Sequence, residues 1–299
     1  MKNRTFRSGL CAVLCLVLVL SAAGCQAKKQ AVNLREKLFA LAVTDEDLGI
    51  AGAYSALSDI EDGKADPELA GRWITGDGKT VYTYAADGTV KIESEDYGSF
   101  DSKYTCFTRG DHKILCEEAT MTSTDVDGNT TESTALSYTA YRVENDALYM
   151  VTVEERDEMF TSHQAALVML FRADGSGSTS AAMAKNPISM DSLNGTWSGE
   201  KGDFTIENGT LKTGSDSYAL SFNEKNQLVA EKDGRATAYS MNVSVYKTYG
   251  DQPNQTVRMG LYYTGADEND KPNLLPLLDD WKTDYQWEDW YYSGSFELE

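Results

Sequence analysis

Two cysteines, Cys106 and Cys116, are spaced so that they could form a covalent link. They flank the segment Arg109–His112, whose Gly-Asp pair predicts a tight turn between two antiparallel strands. Cysteines at opposite positions of such a hairpin can bring their sulfurs within bonding distance. The spacing predicts a Cys106–Cys116 disulfide, and the alternative is two reduced cysteines buried as small core residues.

Aromatic side chains alternate with carboxylates near the C-terminus. Trp281, Tyr285, Trp287 and Trp290 form this pattern. Sugar-binding surfaces stack such rings on the apolar faces of pyranoses, while the acids bind the hydroxyl groups. The four residues are therefore candidate ligand-binding residues for a glycan. The alternative is structural: the rings cap or complete a β-barrel and the acids lie in water.

Catalytic and metal-binding patterns are weak in this chain. The segment Asp125–Asn129 could begin a calcium loop, but the later carboxylates do not follow the required spacing, which favours a plain Asp-Gly turn. The two histidines, His112 and His163, belong to no recognised catalytic motif. We predict a protein that is not an enzyme and uses no metal or cofactor. The alternative is a cell-surface hydrolase acting on glycans through paired carboxylates.

The first 25 residues have the pattern of an export signal. Basic residues precede an apolar run over 10–20, and small residues then lead to Cys25. The run is too short for a bilayer, which needs about 20 apolar residues. Its ending resembles the lipobox of bacterial lipoproteins, in which the cysteine becomes lipid-modified and N-terminal. The resemblance implies a membrane anchor on Cys25 at the extracytoplasmic face, with an ordinary secretory signal as the alternative.

The elements that position these residues come from two copies of one β unit. Leu69–Trp73 and Leu193–Trp197 share the pattern Leu-x-Gly-x-Trp, and a hairpin follows each copy. The pairs Asp87-Gly88 and Asn208-Gly209 favour the two positive φ angles of a type I′ turn. Each copy is too long for a solenoid repeat, so the pattern predicts tandem domains.

Short candidate strands separated by turn residues fill both copies. Direct succession of such strands predicts an antiparallel meander that closes into an up-and-down barrel and so removes its edges. In the first copy they lie near 70–75, 80–85, 89–94, 102–108, 113–123, 133–144, 147–155 and 164–172, and in the second near 195–198, 203–207, 210–213, 217–223, 227–232, 235–248 and 255–264.

A Gly-x-Trp motif on the opening strand of a meander resembles the lipocalin-like domains of bacterial surface lipoproteins. The resemblance implies that Trp73 and Trp197 are structural and close the base of their barrels. It also implies that Arg172, at the end of the last strand of the first copy, lies across Trp73. The second copy has no closing arginine at the corresponding end.

Helical patterns precede the first copy. Leu34, Leu38, Phe39 and Leu41 have helical spacing, and Thr44 begins a capping box for a second helix. These helices could pack on the first barrel or hold it away from the membrane.

We therefore predict a mainly β protein with two tandem, small, antiparallel up-and-down β-barrels of lipocalin-like type after a short helical tether. The predicted boundaries are a lipoprotein signal peptide over 1–24, a tether with short helices over 25–68, a first barrel over 69–173, a flexible linker over 174–192, and a second barrel with an aromatic, acidic C-terminal extension over 193–299.

The composition limits the partners. A formal net charge of −20 disfavours binding to nucleic acid. We predict a lipid-anchored extracytoplasmic binding or interaction protein of the bacterial cell surface. Its predicted partners are the membrane, through the lipid on Cys25, and a glycan or a small apolar ligand. The short loops favour barrels filled by their own side chains.

Overall fold

The computed structural model describes residues 31–95, 98–124, 130–154, 162–199, 202–248, 254–263 and 291–298. The chain divides into two compact units, Met1–Ala31 and Val32–Glu299. The helices and strands described below belong to the second unit.

Strands of the first copy form a closed antiparallel barrel, as predicted. Each strand pairs with the next along the chain, and the last returns to the first: Trp73 lies opposite Arg172 and Thr75 opposite Leu170. The strands are β1 (Gly71–Thr75), β2 (Thr80–Tyr84), β3 (Thr89–Ser94), β4 (Gly98–Arg109), β5 (His112–Thr124), β6 (Thr130–Glu144), β7 (Ala147–Thr152) and β8 (Ser162–Arg172).

The second copy also forms antiparallel strands in sequence order. Its last strand pairs both with the strand before it and with the first strand of the copy, where Leu298 lies opposite Trp197. The strands are β9 (Gly195–Gly199), β10 (Gly202–Glu207), β11 (Thr210–Thr213), β12 (Asp216–Phe222), β13 (Leu228–Lys232), β14 (Arg235–Thr248), β15 (Asn254–Tyr263) and β16 (Tyr291–Leu298).

A pairing between β8 and β14 joins the two copies. The second half of β8 pairs with β7 and β1, whereas its first half pairs with β14 from Ser162↔Thr248 to Ala166↔Ser244. Val245 therefore lies between Ala165 of β8 and Val257 of β15. The two copies share one continuous set of hydrogen-bonded strands, which tandem independent domains would not do.

Helix α1 (Leu34–Leu41) begins at Asn33, whose side chain accepts hydrogen bonds from two backbone N–H groups of the first turn. Its buried residues Leu34, Leu38 and Leu41 pack against β6, β7, β8 and β14. Phe39, which the spacing placed with them, is exposed. The predicted helix packs on the sheets.

A second short helix, α2 (Asp45–Leu48), begins at the predicted cap, because the Thr44 hydroxyl accepts from the Asp47 N–H at 3.1 Å. Gly49 has a φ of +67° and ends the helix after four residues.

Val32, which precedes both helices, pairs with the segment just before the second copy. Its N–H donates to the Pro187 carbonyl at 2.8 Å, and its carbonyl accepts from the Ser189 N–H at 2.7 Å.

The linker predicted to be flexible is packed. Residues Ser180–Lys185 form α3, and Ala182 and Met183 are buried. Asn186, 1 % exposed, donates to the carbonyls of Ala182 and Asn145. Small polar residues suggested flexibility, but here their side chains satisfy local backbone groups.

The turns follow the prediction in one copy and differ in the other. Asn208 and Gly209 have φ angles of +51° and +74°, as a type I′ turn requires. Of the pair Asp87-Gly88 in the first copy, only Gly88 has a positive φ, at +86°. The Ala85 N–H donates to the Thr89 carbonyl, so three residues (86–88) lie between this hydrogen-bonded pair, and the predicted two-residue turn at Asp87-Gly88 is wrong.

Candidate functional site

Trp73 lies on β1 of the first barrel and is fully buried. Its indole N–H donates to the Leu69 carbonyl at 2.7 Å, and the Arg172 guanidinium lies over the ring at 4.2 Å from its centroid. Arg172 also donates to the carbonyls of Ala70 and Glu68. One side chain therefore covers the indole and fixes the chain segment that enters β1.

Gly71 makes this arrangement possible. It has a φ of +124°, and a Cβ at this position would lie 2.8 Å from an Arg172 nitrogen. A larger residue would meet both a strained backbone and the guanidinium. In the first copy, the glycine of the Gly-x-Trp motif therefore allows Arg172 to approach the backbone closely.

Trp197 occupies the equivalent position in the second copy. It is fully buried, and its indole N–H donates to the Leu193 carbonyl at 2.8 Å. The residue opposite Trp197 in register is Leu298, where the first copy has Arg172. The two copies keep the indole hydrogen bond but differ in the residue across from it.

The predicted Cys106–Cys116 disulfide is wrong, because both thiols are free and buried. The hairpin turn contains only Gly110 and Asp111, so Cys106 pairs with Leu115 and Cys116 pairs with Thr105. The two cysteines are offset by one residue, and successive side chains of a strand point to opposite faces. Cys106 packs inside the barrel and Cys116 packs in the other core cluster.

Burial also determines the chemistry of these thiols. It raises the pKa of Cys106 to about 11 and the pKa of Cys116 to about 12. Both thiols are therefore protonated at neutral pH, and a protonated thiol is a poor nucleophile. The structure therefore has the alternative arrangement, in which both cysteines are reduced and buried in the core.

Several predicted site residues lie outside the described residues. They are the lipidation residue Cys25, the turn segment Asp125–Asn129, and the candidate ligand-binding residues Trp281, Tyr285, Trp287 and Trp290. Their roles remain predictions from the sequence.

One core cluster of buried side chains lies inside the first barrel. Tyr84 and Tyr104 meet edge to face at a centroid distance of 5.1 Å above the buried Trp73 and Leu115. Glu117 lies on the same face as Leu115, opposite Tyr104 in register. Its carboxylate accepts a hydrogen bond from the Tyr84 hydroxyl at 3.4 Å.

Glu117 should make stability depend on pH. Burial raises its pKa from 4.5 to about 7, although the Tyr84 hydrogen bond opposes this shift. The folded protein binds this proton more tightly than the unfolded chain, so its contribution to the unfolding free energy is complete below pH 4.5 and is lost as pH rises towards 7. We expect Glu117→Gln to reduce the fall in melting temperature across this range. An unchanged pH profile in the variant would contradict the assignment.

A cleft of about 320 Å³ lies between the two copies. Its lining divides into apolar residues, termed the floor, and polar residues, termed the rim. The apolar lining is Leu34, Leu167, Met169, Phe171, Ile188, Met241 and Val243, and the polar lining includes Thr75, Asp77, Lys225, Asn226, Gln227 and Ser240. Ligand sites commonly combine an apolar surface with a few polar groups, at volumes of roughly 300–1,000 Å³.

Sequence reasoning missed this cleft, although β8 contains a signal for it. The run Leu167–Phe171 is apolar at every position. Leu170 faces the barrel interior, whereas Leu167 and Phe171 pack in the cluster shared with the second copy. A strand that is apolar on both faces is expected to be covered on both.

A smaller cleft, of about 200 Å³, lies between the end of α1 and the β5–β6 strands. Lys113 lines it, but its ammonium pairs with Asp66 at 2.8 Å and Glu68 at 2.6 Å. The Tyr141 hydroxyl also donates to Asp66, at 2.7 Å. These polar groups bind one another, so we take the larger cleft as the candidate functional site.

Within the described ranges, no group of three or more His, Cys, Asp or Glu side chains could hold a metal ion. The helices of the same residues are too short or too polar to cross a bilayer. The chain matches no family model, no curated protein and no solved structure.

Proposed function

We propose that the protein is an extracytoplasmic bacterial lipoprotein, anchored through a lipid on Cys25, that binds a small apolar ligand. The export pattern of the first 25 residues supports the anchor. Two or more hydrocarbon chains on one cysteine would give stable membrane attachment.

We also propose that the second copy closes as a second lipocalin-like barrel. The repeated Leu-x-Gly-x-Trp motif and the equivalent indole hydrogen bonds of Trp73 and Trp197 support this proposal. The pairing of β16 with both β15 and β9 is the pattern that closure requires.

The observation that carries the binding function is the apolar cleft between the copies. The interior of the first barrel is occupied by Trp73, Tyr84 and Leu170. In the cleft, by contrast, Met169 and Phe171 of β8 face open volume beside Met241 of β14. The ligand therefore binds outside the barrel, at the junction of the copies.

Met169→Glu should weaken binding of the neutral apolar dye N-phenylnaphthylamine by about tenfold or more, because it places a charge on the apolar floor. Dye fluorescence measured on the purified protein tests this. Val168→Glu is the matched control, because Val168 is the adjacent residue on the same strand, is 44 % exposed and does not line the cleft. Equal loss in both variants, or full binding by Met169→Glu, would remove the cleft as the site.

Cys25→Ser tests the anchor separately. The variant should appear in the soluble fraction or keep its signal segment, because serine cannot carry the thioether-linked lipid. Cell fractionation and mass measurement of the N-terminus check this. Membrane association equal to that of the parent protein would show that the anchor lies elsewhere.

A further inference from the structure

We infer that the ligand of the inter-copy cleft is an apolar molecule with a carboxylate head, and that Lys225 and Asn226 bind this head. The inference rests on the proposed function, which places an apolar ligand in the cleft. It adds the charge and the hydrogen-bonding character of one end of the ligand.

Asn226 supplies an unused donor at the cleft. It ends the turn over 223–226 with a φ of +55°, and its backbone N–H donates to the Asn223 carbonyl at 3.0 Å. Its side-chain Nδ2 is buried and has no acceptor among the described residues. A buried donor without an acceptor costs free energy, and rotation of the Asn226 side chain towards a ligand oxygen in the cleft would remove that cost.

Lys225 supplies a cation beside this donor. The Lys225 side chain forms no ion pair with any described residue, whereas Lys185 and Lys232 are paired with Asp146 and Asp216. In a chain with a net charge of −20, a lysine left unpaired at the rim of a cleft is available for an anion. An ammonium and an amide N–H together match a carboxylate.

One acceptor at the rim, Asp77 Oδ1, is already occupied. Asp77 Oδ1 accepts from the Thr75 hydroxyl at 2.6 Å and from the Lys79 N–H at 3.0 Å. Asp77 is thereby held within its own turn. The Asn226 amide thus lacks an acceptor among the described residues while Asp77 Oδ1 has two donors, which favours an anionic head over a cationic one.

The apolar floor fits the rest of such a molecule. Met169, Phe171 and Met241 offer methylene, thioether and ring surface. Methionine side chains adapt to ligands of irregular shape, so a flexible hydrocarbon chain can pack on them.

Octanoate and octanol are suitable probes, because they share one hydrocarbon chain and differ in the charge of the head. Titration calorimetry with the parent protein should show octanoate binding more tightly than octanol. Asn226→Asp replaces the donor by an acceptor of nearly the same shape, and it should weaken octanoate binding by about tenfold or more while changing octanol binding less than about twofold. Lys225→Gln should act in the same direction.

Asn208→Asp is the matched control, because Asn208 has a φ of +51° in another turn of the second copy and does not line the cleft. It should leave both affinities unchanged. Equal binding of octanol and octanoate by the parent protein would overturn the carboxylate inference and leave the apolar site intact. Binding of neither probe would overturn the site itself. If Asn208→Asp weakened octanoate binding as much as Asn226→Asp, the added negative charge on the protein would explain the loss, and a contact between Asn226 and the carboxylate head would not.

Discussion

Replacement of Trp73 by alanine is expected to lower the free energy of unfolding by about 3–5 kcal/mol, because it removes the largest buried side chain of the first barrel. The variant also loses the indole hydrogen bond to Leu69 and the ring beneath Arg172. Domains are commonly stable by about 5–15 kcal/mol, so this loss is a large part of the total. Chemical denaturation followed by circular dichroism measures it.

Arg172→Met separates the contribution of the guanidinium from that of the indole to the free energy of unfolding. It keeps the indole and removes the cation above it, and we expect a smaller loss of about 1–2 kcal/mol. Trp197→Ala gives a comparison in which the opposite register position holds Leu298. A Trp73→Ala variant with the melting temperature of the parent protein would contradict burial at the barrel base.

Replacement of Val245 by aspartate is expected to destabilise both copies together, by about 3–5 kcal/mol for an uncompensated buried charge. Val245 is fully buried and lies on β14 between β8 of the first barrel and β15 of the second copy. A charge there disturbs the pairing that joins the copies. Hydrogen exchange of amides in β2 and β12 should therefore accelerate to a similar extent.

Ala219→Asp is the control for this experiment, because Ala219 also lies within a strand of the second copy but is exposed. It should change the free energy of unfolding by less than about 0.5 kcal/mol. Faster exchange confined to β12 in Val245→Asp would show that the two copies unfold independently.

Much of the first barrel is predictable from local sequence. Turn residues and alternating side chains place the strands near their observed bounds, as for Thr89–Ser94, which is predicted at 89–94. The lipocalin resemblance implies that Arg172 lies across Trp73, and the closure of β8 on β1 sets the two residues opposite each other. These features depend on residues close in sequence or on closure of one meander.

Features that depend on exact register or on contacts between copies were not predictable. If the turn of this hairpin had one residue more or less, Cys106 and Cys116 would have a different register relative to each other. The amino-acid composition does not determine the number of residues in the turn. The β8–β14 pairing and the cleft bring together residues far apart in the chain. Asn226 is a turn residue in the sequence, and only the fold brings it to the same cleft as Phe171.

The pairing of Val32 with the segment Pro187–Ser189 has a mechanical consequence. A load transmitted through an N-terminal anchor would enter the folded unit at Val32, whose two hydrogen bonds connect it to the chain just before the second copy. The parallel bridge Val32↔Ile188 and the buried α1 behind it would resist that pull. Such a load would therefore act on the segment between the copies, where Ile188 lines the cleft.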